Sequence, residues 1–113
     1  MKKFIFLLLL LPLSVFADTV EVSFTPPTDR ADGTPLPITE IQNYQVYVNG
    51  VPDITIPNTE NLGEVTLAPG LYDIYVTTLD SDGRESLPSN VVSVQAKSPP
   101  GNPTNLILKI LRK

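Results

Sequence analysis

Between Asp18 and Ala96 apolar and polar residues alternate in short runs, and turn residues interrupt those runs about every ten positions. No helical period survives over this stretch. "TVEVSFT" sets Val20, Val22 and Phe24 in period two, so one face of a strand is apolar. "YQVYV" does the same with Tyr44, Val46 and Val48, leaving Gln45 and Tyr47 on the other face. Asn49-Gly50 follows at once, and then "VPDITI". Asn-Gly between two apolar runs predicts a tight hairpin, because both residues accept positive φ. Pro52 has no amide hydrogen to donate, which predicts an edge for the second hairpin strand. "GEVTL" is a further short strand ending at Leu67, and "APG" turns the chain. "LYDIYVTTL" alternates Tyr72, Ile74, Val76 and Thr78 against Asp73, Tyr75 and Thr77. "DSDGRESLPSN" is a polar loop with turn chemistry at Asp82-Gly83, and "NVVSVQA" is the last strand. Six strands with this spacing predict an all-β antiparallel sandwich.

The two ends carry different signals. Lys2 and Lys3 precede an unbroken apolar run from Phe4 to Leu11, and Val15-Phe16-Ala17 follows Pro12. This is the form of a signal peptide over residues 1–17, with cleavage expected between Ala17 and Asp18. A membrane anchor is the rival reading, but Phe4 to Phe16 falls short of the about 20 residues a spanning helix needs. The expected localisation is therefore exported, periplasmic or extracellular, with no stable membrane span after cleavage. The lean Met-Lys-Lys start resembles bacterial and phage leaders. Residues 18–96 form the expected domain, "SPPGNP" belongs to a Pro-rich linker over 97–103, and residues 104–113 form a basic apolar tail. No cysteine is present, so burial and sheet hydrogen bonding hold the fold without disulfides.

Charge follows the same division. Twelve acids oppose only Arg30 and Arg84 between Asp18 and Ala96, a net charge of −10. Lys97, Lys109, Arg112 and Lys113 then stand without an acid. An acidic body repels phosphates, which argues against nucleic acid as a partner.

"SFTPPTDRADGTPL", "IQNYQVYV", "LAPGLYDIYV" and "DSDGRESLPSNVVSV" occur in the order and at the separations of a fibronectin type III domain. The resemblance covers roughly Asp18 to Ala96, and bacterial and phage versions are most similar in "DGTPL" and "ES..SN". It implies an immunoglobulin-like β-sandwich. It implies that Tyr72 is the tyrosine-corner residue, its hydroxyl returning to backbone near Leu67 and Pro69. It implies that Phe24 stands where the family places a core tryptophan, with Tyr44, Val46, Ile74 and Val76 completing the core. It also implies seven strands, of which the first has no counterpart ahead of "TVEVSFTPP". "NPTNLILKI" has the form of that first strand, at the other end of the chain.

Catalysis finds little support. The chain has neither histidine nor cysteine, which excludes Ser-His and Cys-His nucleophile arrangements. No phosphate loop occurs, and no cofactor is expected. Asp80, Asp82 and Glu85 are calcium candidates, although the loop supplies only half the oxygen ligands of an EF-type site. By resemblance the loops Thr28–Pro37 and Asp80–Ser89 lie side by side, which makes Asp29, Arg30, Asp32 and Arg84 candidate binding residues. Prolines at 26, 27, 35 and 37 would either stiffen the first loop for binding or merely block edge pairing. Tyr47 and Tyr75 are expected to point outward from neighbouring strands, as a binding platform or as a cross-strand pair. In the tail, Leu106, Ile107, Leu108, Ile110 and Leu111 form a β-prone apolar run that an exported protein would have to cover. It would pair within its own body, with another copy or with another protein, lie at a membrane surface, or remain a disordered end. The seven-residue linker reaches at most about 23–25 Å, which makes pairing within one body marginal in the family's strand direction.

These features predict an exported, non-catalytic module for binding or adhesion, its partner a protein or a cell-surface polymer. The alternative is a structural subunit of a virion or extracellular filament assembled through the tail.

Overall fold

The computed structural model describes residues 16–112. The charged and apolar regions of the expected leader lie outside the described residues. Six strands follow in the order anticipated: β1 (Asp18–Ser23), β2 (Ile41–Val48), β3 (Val51–Pro57), β4 (Leu62–Leu67), β5 (Gly70–Asp80) and β6 (Val92–Ala96). A 3-10 turn, Ile38–Glu40, leads into β2. β1 and β4 form a two-stranded antiparallel sheet, and the other sheet has the order β3-β2-β5-β6.

The β2–β3 hairpin turns at Asn49 and Gly50, whose φ angles are 52° and 80°. Positive φ at both central residues matches the twist of the flanking strands, so the Asn-Gly pair fixes the register that starts at Val48 and Val51. β3 lies at a sheet edge, where Pro52 has no ladder bond to lose. The register shifts between Val46 and Tyr47, next to that proline.

The core draws Ile41, Tyr44 and Val46 from β2, Ile56 from β3, Val65 and Leu67 from β4, Ile74 from β5 and Ala96 from β6. Leu36, from the loop ahead of β2, closes one end. Gly63 lets the sheets approach closely, since a Cβ there would sit 2.8 Å from Ile56 Cδ1. β1 is the thinnest part of the barrier to water. Its inward residues Val20 and Val22 are only half-buried, as is Phe24 just beyond it. The physical reason is that β1 has β4 on one side and, among the described residues, no strand on the other.

Tyr72 is half-buried, and its hydroxyl donates to the Ala68 carbonyl at 2.7 Å as the corner requires. One expectation needs correction. Thr77, expected on the solvent face of β5, is buried. Glu85 folds back over it and accepts a hydrogen bond from its hydroxyl at 2.6 Å.

Candidate functional site

Two tight turns meet at the pole where β1 ends. Residues 28–36 form a small hairpin, closed by the Arg30 amide on Thr34 O at 2.7 Å and the Leu36 amide on Thr28 O at 2.9 Å. Asp32 shapes its tip by accepting from the Thr34 hydroxyl at 2.7 Å and the Thr34 amide at 3.0 Å. Those bonds hold the Asp32 carboxyl below the usual carboxylate range, the hydroxyl contributing most. The second turn leaves β5 at Asp80. The amide of Gly83, at φ 87°, donates to the Asp80 carbonyl at 3.0 Å.

Asp80 joins the two turns. Its Oδ1 accepts the amides of Arg84 at 2.8 Å and Asp82 at 3.0 Å. Its Oδ2 accepts from the guanidinium groups of Arg30 at 3.0 Å and Arg84 at 3.2 Å. The Arg84 amide first, and then the Arg30 guanidinium, hold the Asp80 carboxyl far below the usual range despite its burial. Arg30 reaches Glu40 with its other arm at 2.8 Å, and Arg84 reaches Asp82 at 3.1 Å.

The sequence candidates therefore separate. Asp29, Arg30, Asp32 and Arg84 do gather at one pole and line one cleft. Asp29 faces Pro35 in an isolated bridge of the hairpin. Arg30 and Arg84 both hold the Asp80 carboxylate, so their charges are engaged within the fold. The calcium candidates do not converge. Both Asp80 oxygens have donors, Asp82 is bound to Arg84, and Glu85 turns toward Thr77 and the Tyr47 hydroxyl. Among the described residues no three carboxylates are grouped to hold a cation. Tyr47 and Tyr75 stand directly opposite in the β2–β5 register and stack at 4.8 Å with 16° between their rings. Neither ring lines the cleft.

The cleft itself has a volume of 1040 Å³. Phe24, Leu36, Val76 and Leu87 give it apolar walls, and Arg30 and Asp80 are among its polar lining. It lies just past the end of β1, against β5 and between the loops of residues 27–36 and 84–89. Phe24 floors it and meets Tyr44 edge-on, ring centroids 4.6 Å apart.

Sequence reasoning missed Leu36, Leu87 and the manner in which β5 is finished. Ser86 and Ser89 each pair with β5 twice. Their amides donate to Thr78 O and Val76 O at 2.9 Å. Their hydroxyls accept the Thr78 amide at 2.9 Å and the Val76 amide at 3.0 Å. Side-chain oxygens thus replace the carbonyls of a regular strand around Pro88. Leu87 is turned outward to 88 % exposure on the rim of the cleft. The signal was present as two serines flanking Leu-Pro.

Comparison with solved structures finds a match over 71 % of this chain and 79 % of the other, at 20 % identity and a TM-score of 0.55, to the fibronectin(III)-like modules of Clostridium thermocellum CbhA. The fold is that of a fibronectin type III-like module. No family model matches the chain, and no curated protein matches it. Among the described residues the chain has six of the seven strands the resemblance implies, and Tyr72 makes the corner bond.

At the pole away from the cleft, the Lys97 amide donates to Asp18 Oδ2 at 3.3 Å as the chain leaves β6. Beyond it the tail enters no strand among the described residues. Leu106, Ile107, Leu108, Ile110 and Leu111 are each 74–85 % exposed. Among the described residues no helix is long and apolar enough to cross a membrane.

Proposed function

We propose that the chain is an exported, non-catalytic binding module that takes an extended protein segment into the cleft beside β1. One observation carries the reading: an apolar cleft of 1040 Å³ adjoins a strand whose second edge has no partner among the described residues. An open edge offers a row of backbone donors and acceptors, and an apolar wall beside it offers pockets for alternate side chains. Together these favour a β-strand ligand over a compact small molecule. Export rests on the leader form of residues 1–17. The absence of catalysis rests on a chain without histidine or cysteine, whose one buried carboxylate is neutralised by two arginines.

The body, residues 18–103, contains the whole core cluster and serves as the test protein. Panning it against a displayed heptapeptide library should enrich peptides that alternate apolar and polar residues. Their synthetic forms should shift the amide resonances of β1 and of Leu87. Leu87→Lys, at a site the fold leaves exposed, should abolish that binding without lowering the unfolding midpoint. Enriched peptides that shift only the outer face around Tyr47 and Tyr75, or no enrichment at all, would overturn the reading.

A further inference from the structure

The outer face of the β1–β4 sheet carries an unfavourable pair. Glu21 and Glu64 stand directly opposite each other in the register, both exposed. Like charges in that position destabilise a sheet. On the inner face of β1, Val20 and Val22 remain half-open, and Phe24 continues that face into the cleft. The body thus has an apolar strip, a strand edge without a partner among the described residues, and an acidic flank in one place.

The tail has the complementary features in the complementary order. Leu106, Leu108 and Ile110 share one face at period two, and Lys109 falls on the other. We infer that Asn105–Arg112 of one copy adds antiparallel to the free edge of β1 in a second copy, a proposal that rests on the cleft being a strand-binding site.

Charge and apolarity select the same register. Placing Lys109 opposite Glu21 sets Leu108 opposite Val22, Leu106 opposite Phe24 and Ile110 opposite Val20. Arg112 then stands opposite Asp18. Every apolar tail residue of the inner face meets an apolar partner, and both cations of the added strand, Lys109 and Arg112, meet an acid. Ile107 and Leu111 fall on the outer face, over Ser23 and Thr19. The parallel alternative with the same Lys109–Glu21 contact would drive Arg112 against Phe24 in the apolar cleft. Antiparallel addition is therefore the orientation the side chains favour.

Direction then decides between one copy and two. The tail leaves the body beside Asp18, at the start of β1. An antiparallel strand must enter at the far end, by Phe24. Within one copy, residues 97–103 would have to run the length of β1 fully extended, at most about 23–25 Å, before turning back. A second copy stacked beyond the Asp18 end, with its own Phe24 end toward the donor, receives the same strand with no reversal. The contact is heterologous, so repetition builds an open head-to-tail chain of modules.

Charge reversal tests the register. Residues 18–113 should show concentration-dependent oligomers by analytical ultracentrifugation, reduced but not abolished by salt, since ladder bonds and burial persist. Lys109→Glu alone and Glu21→Lys alone should each weaken association by about an order of magnitude, as like charges come to face one another. Mixing those two variants should restore it, because each tail then meets an opposite charge in the other's β1. Nonspecific stickiness of the tail would not discriminate between mixed and separate samples, and that result would overturn the proposal. So would a monomer at every concentration, whether its tail amides are protected from exchange, placing the strand in its own body, or unprotected, leaving it free. If library peptides bind the body while the peptide of residues 104–113 does not, the strand-binding cleft stands and its assignment to the tail fails.

Discussion

Arg30 donates to Asp80 at 3.0 Å across fifty residues of sequence, and this contact fastens the hairpin of residues 28–36 to the end of β5. The Ser81 amide on Glu40 O, at 2.9 Å, is a backbone link between the end of β5 and the residues just ahead of β2. Asp80 is buried, and four donors surround it. It sets the shape of the pole where the two turns meet, and it engages the guanidinium groups of Arg30 and Arg84 within the fold.

That arrangement makes stability depend on acid. The folded state holds the Asp80 carboxyl far below its unfolded value of about 3.9, so its contribution is present above that value. It is lost as pH falls through the folded value, where the unfolded chain binds the proton more readily. Glu85 adds to the same limb, its carboxyl lowered by the hydroxyls of Thr77 and Tyr47. Denaturant midpoints should therefore decline below about pH 4 in the native protein. Asp80→Asn should lower the neutral-pH midpoint and flatten the acid decline. An unchanged acid limb in that variant would show that Asp80 does not carry it.

The two tyrosines of β5 should separate by direction. Tyr72 packs against the core and donates to Ala68 O, so Tyr72→Ala should cost about 2–3 kcal/mol, below the range for a fully buried aromatic. Tyr72→Phe removes only the corner bond and should cost about 1 kcal/mol. Tyr75→Ala removes one side of the stacked pair with Tyr47 and should cost under about 1 kcal/mol. Urea unfolding of the three variants checks the order.

Tyr44 is fully buried, and among the described residues its hydroxyl has no hydrogen-bond partner. Burial pushes its ionisation upward. An unsatisfied buried hydroxyl loses its water without compensation. Tyr44→Phe keeps the ring that meets Phe24 edge-on and removes that cost, so it should stabilise the module by about 1 kcal/mol. A lowered urea midpoint would mean that the hydroxyl is bonded in solution, with buried water as the partner to seek.

The strands were legible because period-two patterning and turn chemistry act locally. Asn49-Gly50, Pro52 and the Val20-Val22-Phe24 face each state their own geometry. The cleft was not legible, because it is made by contacts between distant segments. Arg30 and Arg84 look like free surface cations in the sequence, and only folding brings both onto Asp80. Thr77 reads as solvent-facing by alternation, and its burial depends on Glu85 returning across the sheet. Leu87 reads as one more residue of a polar loop, and its exposure follows from serine side chains taking over the ladder on either side of Pro88. Local rules describe elements, whereas a site assembled from loop ends depends on side-chain contacts that no period records.

Core autonomy gives the last prediction. Every residue of the core cluster, and every hydrophobic residue packed on it, lies between Val20 and Ala96. The tail residues are exposed and enter no strand within one copy. Deleting residues 104–113 should therefore leave the unfolding temperature of a dilute sample unchanged. At higher concentration the two proteins should diverge. A tail that binds only a folded neighbour stabilises that neighbour by mass action, so the unfolding temperature of residues 18–113 should rise with protein concentration. The truncated body should give a flat line over the same range. Differential scanning calorimetry of both proteins, at concentrations spanning about two orders of magnitude, reads the difference directly. A lower melting temperature for the truncated body even at high dilution would place part of the tail within its own core.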